Sequence, residues 1–194
     1  GSALAANGDA AMAMLVTHIS AAAGAMVWMS MEWIRFGKPS ALGAVTGMVA
    51  GLGTITPASG FVGPGGALII GILAGFTCFN ATLYIKRVLK IDDSLDVFPV
   101  HGVGGALGTL MAGVFSATGL GVFSGYGFAD GISSMGGQLY VQFIGVIATV
   151  VFTAVMTWVI LKVVGALLGL RVSEEEETQG LDITMHEERG YDDL

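Results

Sequence analysis

Asp96-Val97-Phe98-Pro99-Val100-His101-Gly102-Val103-Gly104-Gly105 places one histidine in an apolar, glycine-rich run. An ionisable side chain inside a membrane span is costly, so by default it marks a proton relay or a substrate path. The alternative is a histidine hydrogen-bonded to a neighbouring helix as packing glue. The stretch alone leaves both open. Its meaning depends first on whether it lies in a membrane span, and the rest of the chain answers that.

Of 194 residues, 54% are hydrophobic and only 12% are charged. Mean hydropathy is +0.77. Soluble domains carry about 25% charged residues, so the chain reads as an all-α polytopic membrane protein. Its 31 glycines fall inside apolar runs, as in packed transmembrane helices. The single cysteine, Cys78, excludes an internal disulfide. No nucleophile–base pair or metal-ligand spacing is evident, so neither an enzyme nor a cofactor is expected, and no nucleic-acid partner.

Working outward, the sequence predicts spans at about 10–34, 41–55, 67–89, 97–117 and 137–170. Asp9 is the expected cap of the first and Ser40 of the second. His18, in the first span, is expected to hydrogen-bond a neighbouring helix. Trp28 and Trp33 lie toward that span's far end, where interfacial aromatics belong. Gly43, Gly47 and Gly51 recur every four residues in the second span and let another backbone approach. Its end, Thr54 to Gly60, is unsuited to lipid as regular helix, so it is expected to abut a pore or vestibule. The fifth span, about 50 Å long as helix, must tilt or project from the bilayer.

Loop charge tests this division. Arg35 and Lys38 follow span one; Lys86, Arg87 and Lys90 follow span three; Lys162, Arg171 and Arg189 end or follow span five. The other loops hold no Lys or Arg, so five spans put every base on one side, which the positive-inside bias makes cytoplasmic. The expected topology is an external amino terminus and a cytoplasmic tail, in the plasma (inner) membrane. The membrane domain is 1–170 and the tail 171–194. The tail holds nine acids and two bases, the whole net charge of −7, and reads as a solvated segment.

Gly37-Lys38-Pro39-Ser40-Ala-Leu-Gly43, Thr56-Pro57-Ala58-Ser59-Gly60-Phe61, Gly65-Gly66-Ala67-Leu68-Ile69-Ile70-Gly71 and Asp92-Asp93-x-x-Asp96-Val97-Phe98-x-Val100-His101-Gly102 occur in order. Gly169-Leu170-Arg171-Val172-Ser-Glu-Glu and Gly180-Leu181-Asp182 follow. Together they resemble the ammonium transporter family over essentially the whole chain.

The resemblance implies the carboxy-terminal half of an eleven-helix fold made of two inverted five-helix repeats and a long, tilted final helix: the five spans look like the last five, corresponding to the second inverted repeat plus that final helix. Gly1-Ser2-Ala3 then matches a loop after the sixth span, which favours a fragment over a cloning scar at Gly1-Ser2. By the same resemblance, His101 matches the second of two paired pore histidines, and the first lies in the other half. Ser2 matches a serine meeting ammonium at the outer mouth, Val97 an apolar pore-wall position, and Asp96 an acid bracing the pore helix. Thr184 falls at a position phosphorylated in plant members. A homotrimer of complete chains, contact with membrane lipid and a PII-type signal protein at the cytoplasmic face are also implied. His186 is followed by Glu187-Glu188-Arg189-Gly190-Tyr191, which departs from the family's tail pattern. Hydropathy places His101 one turn inside the end of its span, whereas the family places it near mid-pore. The two agree if the helix starts before Val97 or if a vestibule reaches inward.

The implied function is ammonium or ammonia transport through an apolar pore. Ammonium matches potassium in size and charge, and its N–H donors distinguish it. An apolar channel disfavours the bare ion, and ammonium, unlike potassium, can shed a proton and continue as ammonia. A neutral imidazole can accept from ammonia. Two alternatives stand beside this reading. One is an ammonium sensor or transceptor; the other is a half that is inactive without the missing helices.

Overall fold

The computed structural model describes residues 5–190, so Ser2 lies outside the described residues. The chain divides into two units, Gly1–Val146 and Ile147–Leu194.

The first unit begins with α1, Gly8–Phe36. Its cap is Asn7, not the expected Asp9. Asn7 is extended and its side chain accepts from the Asp9 N–H at 2.9 Å, so the helix starts earlier. Gly37, at φ 81°, ends it. Ser40 caps α2, Ala41–Ile55, as expected, accepting from the Gly43 N–H at 2.8 Å. Pro64 opens α3, Pro64–Tyr84, which runs on into a π-helical turn, Ile85–Leu89. A second π-turn, Phe98–Val103, leads into α4, Gly104–Phe115. The last helix to start here is α5, Met135–Leu167.

Among the described residues, four helical stretches are long and apolar enough to cross a membrane: Gly8–Phe36, Pro64–Leu89, Phe98–Phe115 and Met135–Leu167. The 15-residue α2 is shorter, about 22 Å of helix.

Small residues explain how the first three helices pack. In lipid there is no hydrophobic drive between helices, so close backbone contact and interhelical hydrogen bonds hold them. Along α1 the buried stripe is Ala13, Val16, Ser20, Ala21, Ala23, Gly24 and Trp28. A methyl on Gly24 would lie 2.5 Å from the Gly47 carbonyl oxygen and 3.0 Å from the Gly51 nitrogen. Only glycine permits that approach. Beside it the buried Ser20 hydroxyl donates to the Gly51 carbonyl at 2.9 Å. The close-approach reading of the glycine row in α2 therefore holds.

Two apolar clusters complete the unit. Val16, Ile55, Ala58, Val62, Ala67, Ile70 and Ala112 form one. This covers the turn after α2, so 56–62 is packed by protein at Ala58 and Val62 rather than facing a vestibule there. Trp28, Ala50, Cys78, Phe79 and Val100 form the other. Trp28 is accordingly a core residue and not an interfacial anchor. Its ring meets Phe79 edge-on, centroids 5.4 Å apart at 88°, a favoured aromatic geometry. Trp33 is exposed, as expected.

The loop 118–136 folds back on the same unit. The Tyr126 N–H donates to the Phe61 carbonyl at 3.0 Å and the Gly127 N–H to the Ser116 carbonyl at 2.7 Å. The buried Gln138 side chain accepts from the Ala129 N–H at 3.0 Å.

The second unit holds the remainder of α5, then α6, Glu174–Gln179, and α7, Leu181–His186. α5 is apolar on every face, with a mean hydropathy of 2.4 in its most apolar stretch, as suits a lipid-exposed helix. It ends at Leu167 rather than continuing to 170, and Gly169 turns the chain at φ 76°. The acidic tail is therefore not a plain extension of that helix. Ser173 restarts helix with a reciprocal cap: its hydroxyl accepts from the Glu176 N–H while the Glu176 carboxylate accepts from the Ser173 N–H at 2.8 Å. The Ser173 hydroxyl also donates to the Glu176 carboxylate at 2.8 Å, and this bond, with the one from the Ser173 N–H, lowers the Glu176 pKa. Arg171, donating from Nη2 to Glu177 at 2.8 Å, lowers that of Glu177.

Candidate functional site

The connection at 91–96 leads into the turn that carries His101. Residues 91–96 contain no helix, and Asp96 takes a left-handed φ of 55°. That conformation is costly for a non-glycine residue, and two acids hold the corner around it. The Asp93 carboxylate accepts from the Val97 and Phe98 N–H groups, each at 2.9 Å. Those donors have no partner within the helix, so an anionic acceptor is favoured there twice over, by hydrogen bonding and by the helix dipole. Asp96 meets Lys86 Nζ at 2.7 Å, and Lys86 belongs to the π-turn that ends α3. The two π-turns are thus tied together at the corner. π-turns within helices occur often at functional sites.

The helix begins at Val97 and not earlier, so of the two ways to reconcile hydropathy with mid-pore placement, an earlier start is excluded. Pro99 and Val100 are buried and anchor the turn against the Trp28 cluster. Val97 and Phe98 are 52% and 63% exposed, and His101 and Gly102 are exposed with them. Val97 and His101, predicted as site residues, therefore share one open face. The His101 ring lies across from α2, where a methyl on Gly53 would sit 3.7 Å from Nδ1. No hydrogen bond to the His101 ring is found among the described residues; its carbonyl accepts from the Gly104 N–H. Just beyond, Gly104 passes Thr54 and Cys78, where a methyl would be 2.8 Å from Thr54 Oγ1 and 3.2 Å from Cys78 Sγ. This lets the helix carrying His101 lie close on α2 and α3.

The other predicted residues are placed differently. Asp96 lies just before the His101 turn and its carbonyl accepts from the Val100 N–H at 3.1 Å, but the Val97 and Phe98 N–H groups go to the Asp93 carboxylate. In the sequence Asp93 stands out only as part of the Asp92-Asp93-x-x-Asp96 motif. The signal for it was local: an acid a few residues before an apolar helix start. Thr184 lies in the second unit, its hydroxyl donating to the Gly180 carbonyl at 3.0 Å. His18 does not reach a neighbouring helix. It is exposed, and its Nδ1–H donates to the Met14 carbonyl of its own helix at 3.0 Å. A histidine facing away from the packed stripe of α1 has only its own backbone within reach.

Lys86 and Arg87 lie at the Asp96 end. Arg87 lies 5.2 Å from the Phe36 ring centroid, and a cavity beside them is lined by Trp28, Glu32, Thr46, Thr82, Arg87 and Asp96. Glu32 is held there by the Ser40 N–H at 2.7 Å. No group of three or more His, Cys, Asp or Glu side chains able to hold a metal occurs among the described residues.

Residues 1–191 match the family model described as Ammonium Transporter Family. A putative ammonium transporter of Methanothermobacter thermautotrophicus is 46% identical over 193 residues, which are 98% of this chain and 46% of that protein. An ammonium transporter of Bacillus subtilis is 44% identical, covering 100% of this chain and 47% of that protein. The chain thus spans about half the length of the curated relatives it matches. Among solved structures, one titled "Sensor Amt Protein" superposes with a TM-score of 0.83 at 29% identity, over 95% of this chain and 44% of that one. Saccharomyces cerevisiae Mep2 superposes at 0.73 with 32% identity, over 86% of this chain and 38% of that one.

Proposed function

The chain belongs to the ammonium transporter family, and from that premise we propose that it forms the carboxy-terminal part of a membrane protein that conducts ammonium or ammonia through an apolar pore lined in part by His101. The observation that carries this is an exposed imidazole on an otherwise apolar span. The segment Phe98–Phe115 has a mean hydropathy of 1.3, and His101 stands on its open side beside Val97. Exposure of such a group to lipid is costly. A pore-facing position, closed by helices outside this chain, removes the cost.

In this reading ammonium sheds a proton at the apolar constriction, and neutral His101 accepts a hydrogen bond from ammonia or relays the proton. Val97 forms apolar wall that penalises a bare cation. Asp96 and Asp93 brace the turn, and Ser2 contributes a hydroxyl at the outer mouth. A second imidazole from the other half pairs with His101. The five helical segments correspond to the second repeat and long last helix of an eleven-helix fold. The amino terminus of this chain is external and the tail cytoplasmic, since this puts the bases inside. Complete chains form a homotrimer, and the tail, with Thr184, is the regulatory region and a candidate surface for a PII-type protein. A half-pore is unsealed, so this chain alone does not conduct.

A sensor reading is supported by the likeness to the structure titled "Sensor Amt Protein". The test is ammonium-evoked current from the full-length protein in proteoliposomes, with and without residues 171–194. Current that persists without the tail supports transport. Saturable ammonium binding without current supports a sensor and overturns the proposal.

A further inference from the structure

Gly53 differs from the other glycines of its helix. Methyls on Gly47 and Gly51 would run into the side chain or backbone of α1, so packing demands those glycines. A methyl on Gly53 would meet only the Val100 carbonyl oxygen at 3.6 Å and His101 Nδ1 at 3.7 Å. Both are ordinary van der Waals separations. Gly53 also lies inside α2 and is not among the glycines with positive φ. Neither packing nor backbone conformation needs a glycine here, and in a helix interior glycine is less stable than alanine. What the missing side chain provides is clearance at the Nδ1 edge of His101.

We infer that Gly53 is a specificity-determining residue: its bare backbone sets the space beside His101 and so the size of the amine that passes the ring. This rests on the transport reading above. Ammonium needs only its N–H donors accommodated there, whereas methylammonium also brings a methyl group. A side chain at position 53 occupies the volume that methyl would use. The imidazole keeps its chemistry, so the effect falls on selectivity before it falls on proton exchange.

The experiment compares Gly53→Ala and Gly53→Val with Gly145→Ala in the full-length protein. A methyl on Gly145, in α5, meets nothing within 4 Å, so that variant reports helix propensity away from His101. Currents evoked by ammonium and by methylammonium are recorded in reconstituted bilayers, with thermal stability measured in parallel. Gly53→Ala is expected to be at least as stable as the parent and to lower the methylammonium-to-ammonium ratio about tenfold, the lower end of what one methyl group decides in a fitted site. Gly53→Val is expected to lower it further, and Gly145→Ala to leave it unchanged. An unchanged ratio in stable Gly53→Ala overturns the inference and leaves the transport reading standing, whether or not the valine variant folds. A parent protein with no ammonium current overturns both.

Discussion

Replacing Asp93 by alanine tests how the His101 turn is held. Its carboxylate takes the Val97 and Phe98 N–H groups, both at 2.9 Å, and alanine leaves both donors to water or to nothing. Loss of a helix-capping side chain costs about 0.5–2 kcal/mol. Two donors to one carboxylate place this site in the upper half of that range, about 1–2 kcal/mol, or roughly a 5- to 30-fold rise in the open population of the turn. The effect is local, because Pro99 and Val100 still anchor the turn in the core. Amide exchange followed by mass spectrometry on the peptide covering 93–103 is therefore the assay, with the peptide covering α1 as reference. Faster exchange confined to the first peptide is expected, with partial recovery in Asp93→Ser, which keeps one acceptor. Equal exchange in Asp93→Ala and the parent would refute the idea that this carboxylate holds the turn.

Other consequences can be checked in the same protein. Gly51→Leu forces a side chain into the Ser20 and Ala21 backbone of α1, so monodisperse protein in size-exclusion chromatography should fall sharply, while Gly145→Ala, which meets nothing within 4 Å, should match the parent. The tail helix α6 should be pH-sensitive. Glu176 and Glu177 are both lowered from 4.5 in the folded tail, so their contribution is present above that value and lost as pH falls through the lower folded pKa values. Backbone amide shifts of 174–179 should be steady from neutral pH down to about 5 and change below it; shifts that move between pH 7 and 5 instead would contradict this. For topology, cysteines introduced at Ser124 and Ser173 should react with an impermeant reagent from opposite faces, Ser124 from outside, and labelling of both from one face would refute the assignment.

Much of the fold could be read from the chain because its determinants are local. The Ser40 cap and the four-residue glycine spacing of α2 each follow from one or two neighbouring side chains. Features set by tertiary contact were less legible. Trp28 is chemically an interfacial residue, and only tertiary contact with Ala50, Cys78, Phe79 and Val100 makes it core. His18 carries no sign in sequence of which way it faces along α1. The π-turns at 85–89 and 98–103 have no apolar period of their own, since Lys86 and Asp96 pair across an intervening loop. The site was half legible: an unusual histidine in an apolar run announces itself, whereas Asp93 was masked by neighbouring acids at 92 and 96. Gly53 was hidden among glycines that serve packing.

The central claim is that His101 acts on the permeating species rather than gluing helices. The direct test is ammonium-evoked current across bilayers containing the full-length protein, parent against His101→Ala and His101→Glu, at matched amounts of assembled protein. His101→Ala is expected to assemble normally and carry little or no current. His101→Glu, which restores a proton acceptor but adds a negative charge, is expected to keep some current and admit more potassium. An alanine variant that assembles and carries undiminished, ammonium-selective current would contradict the account.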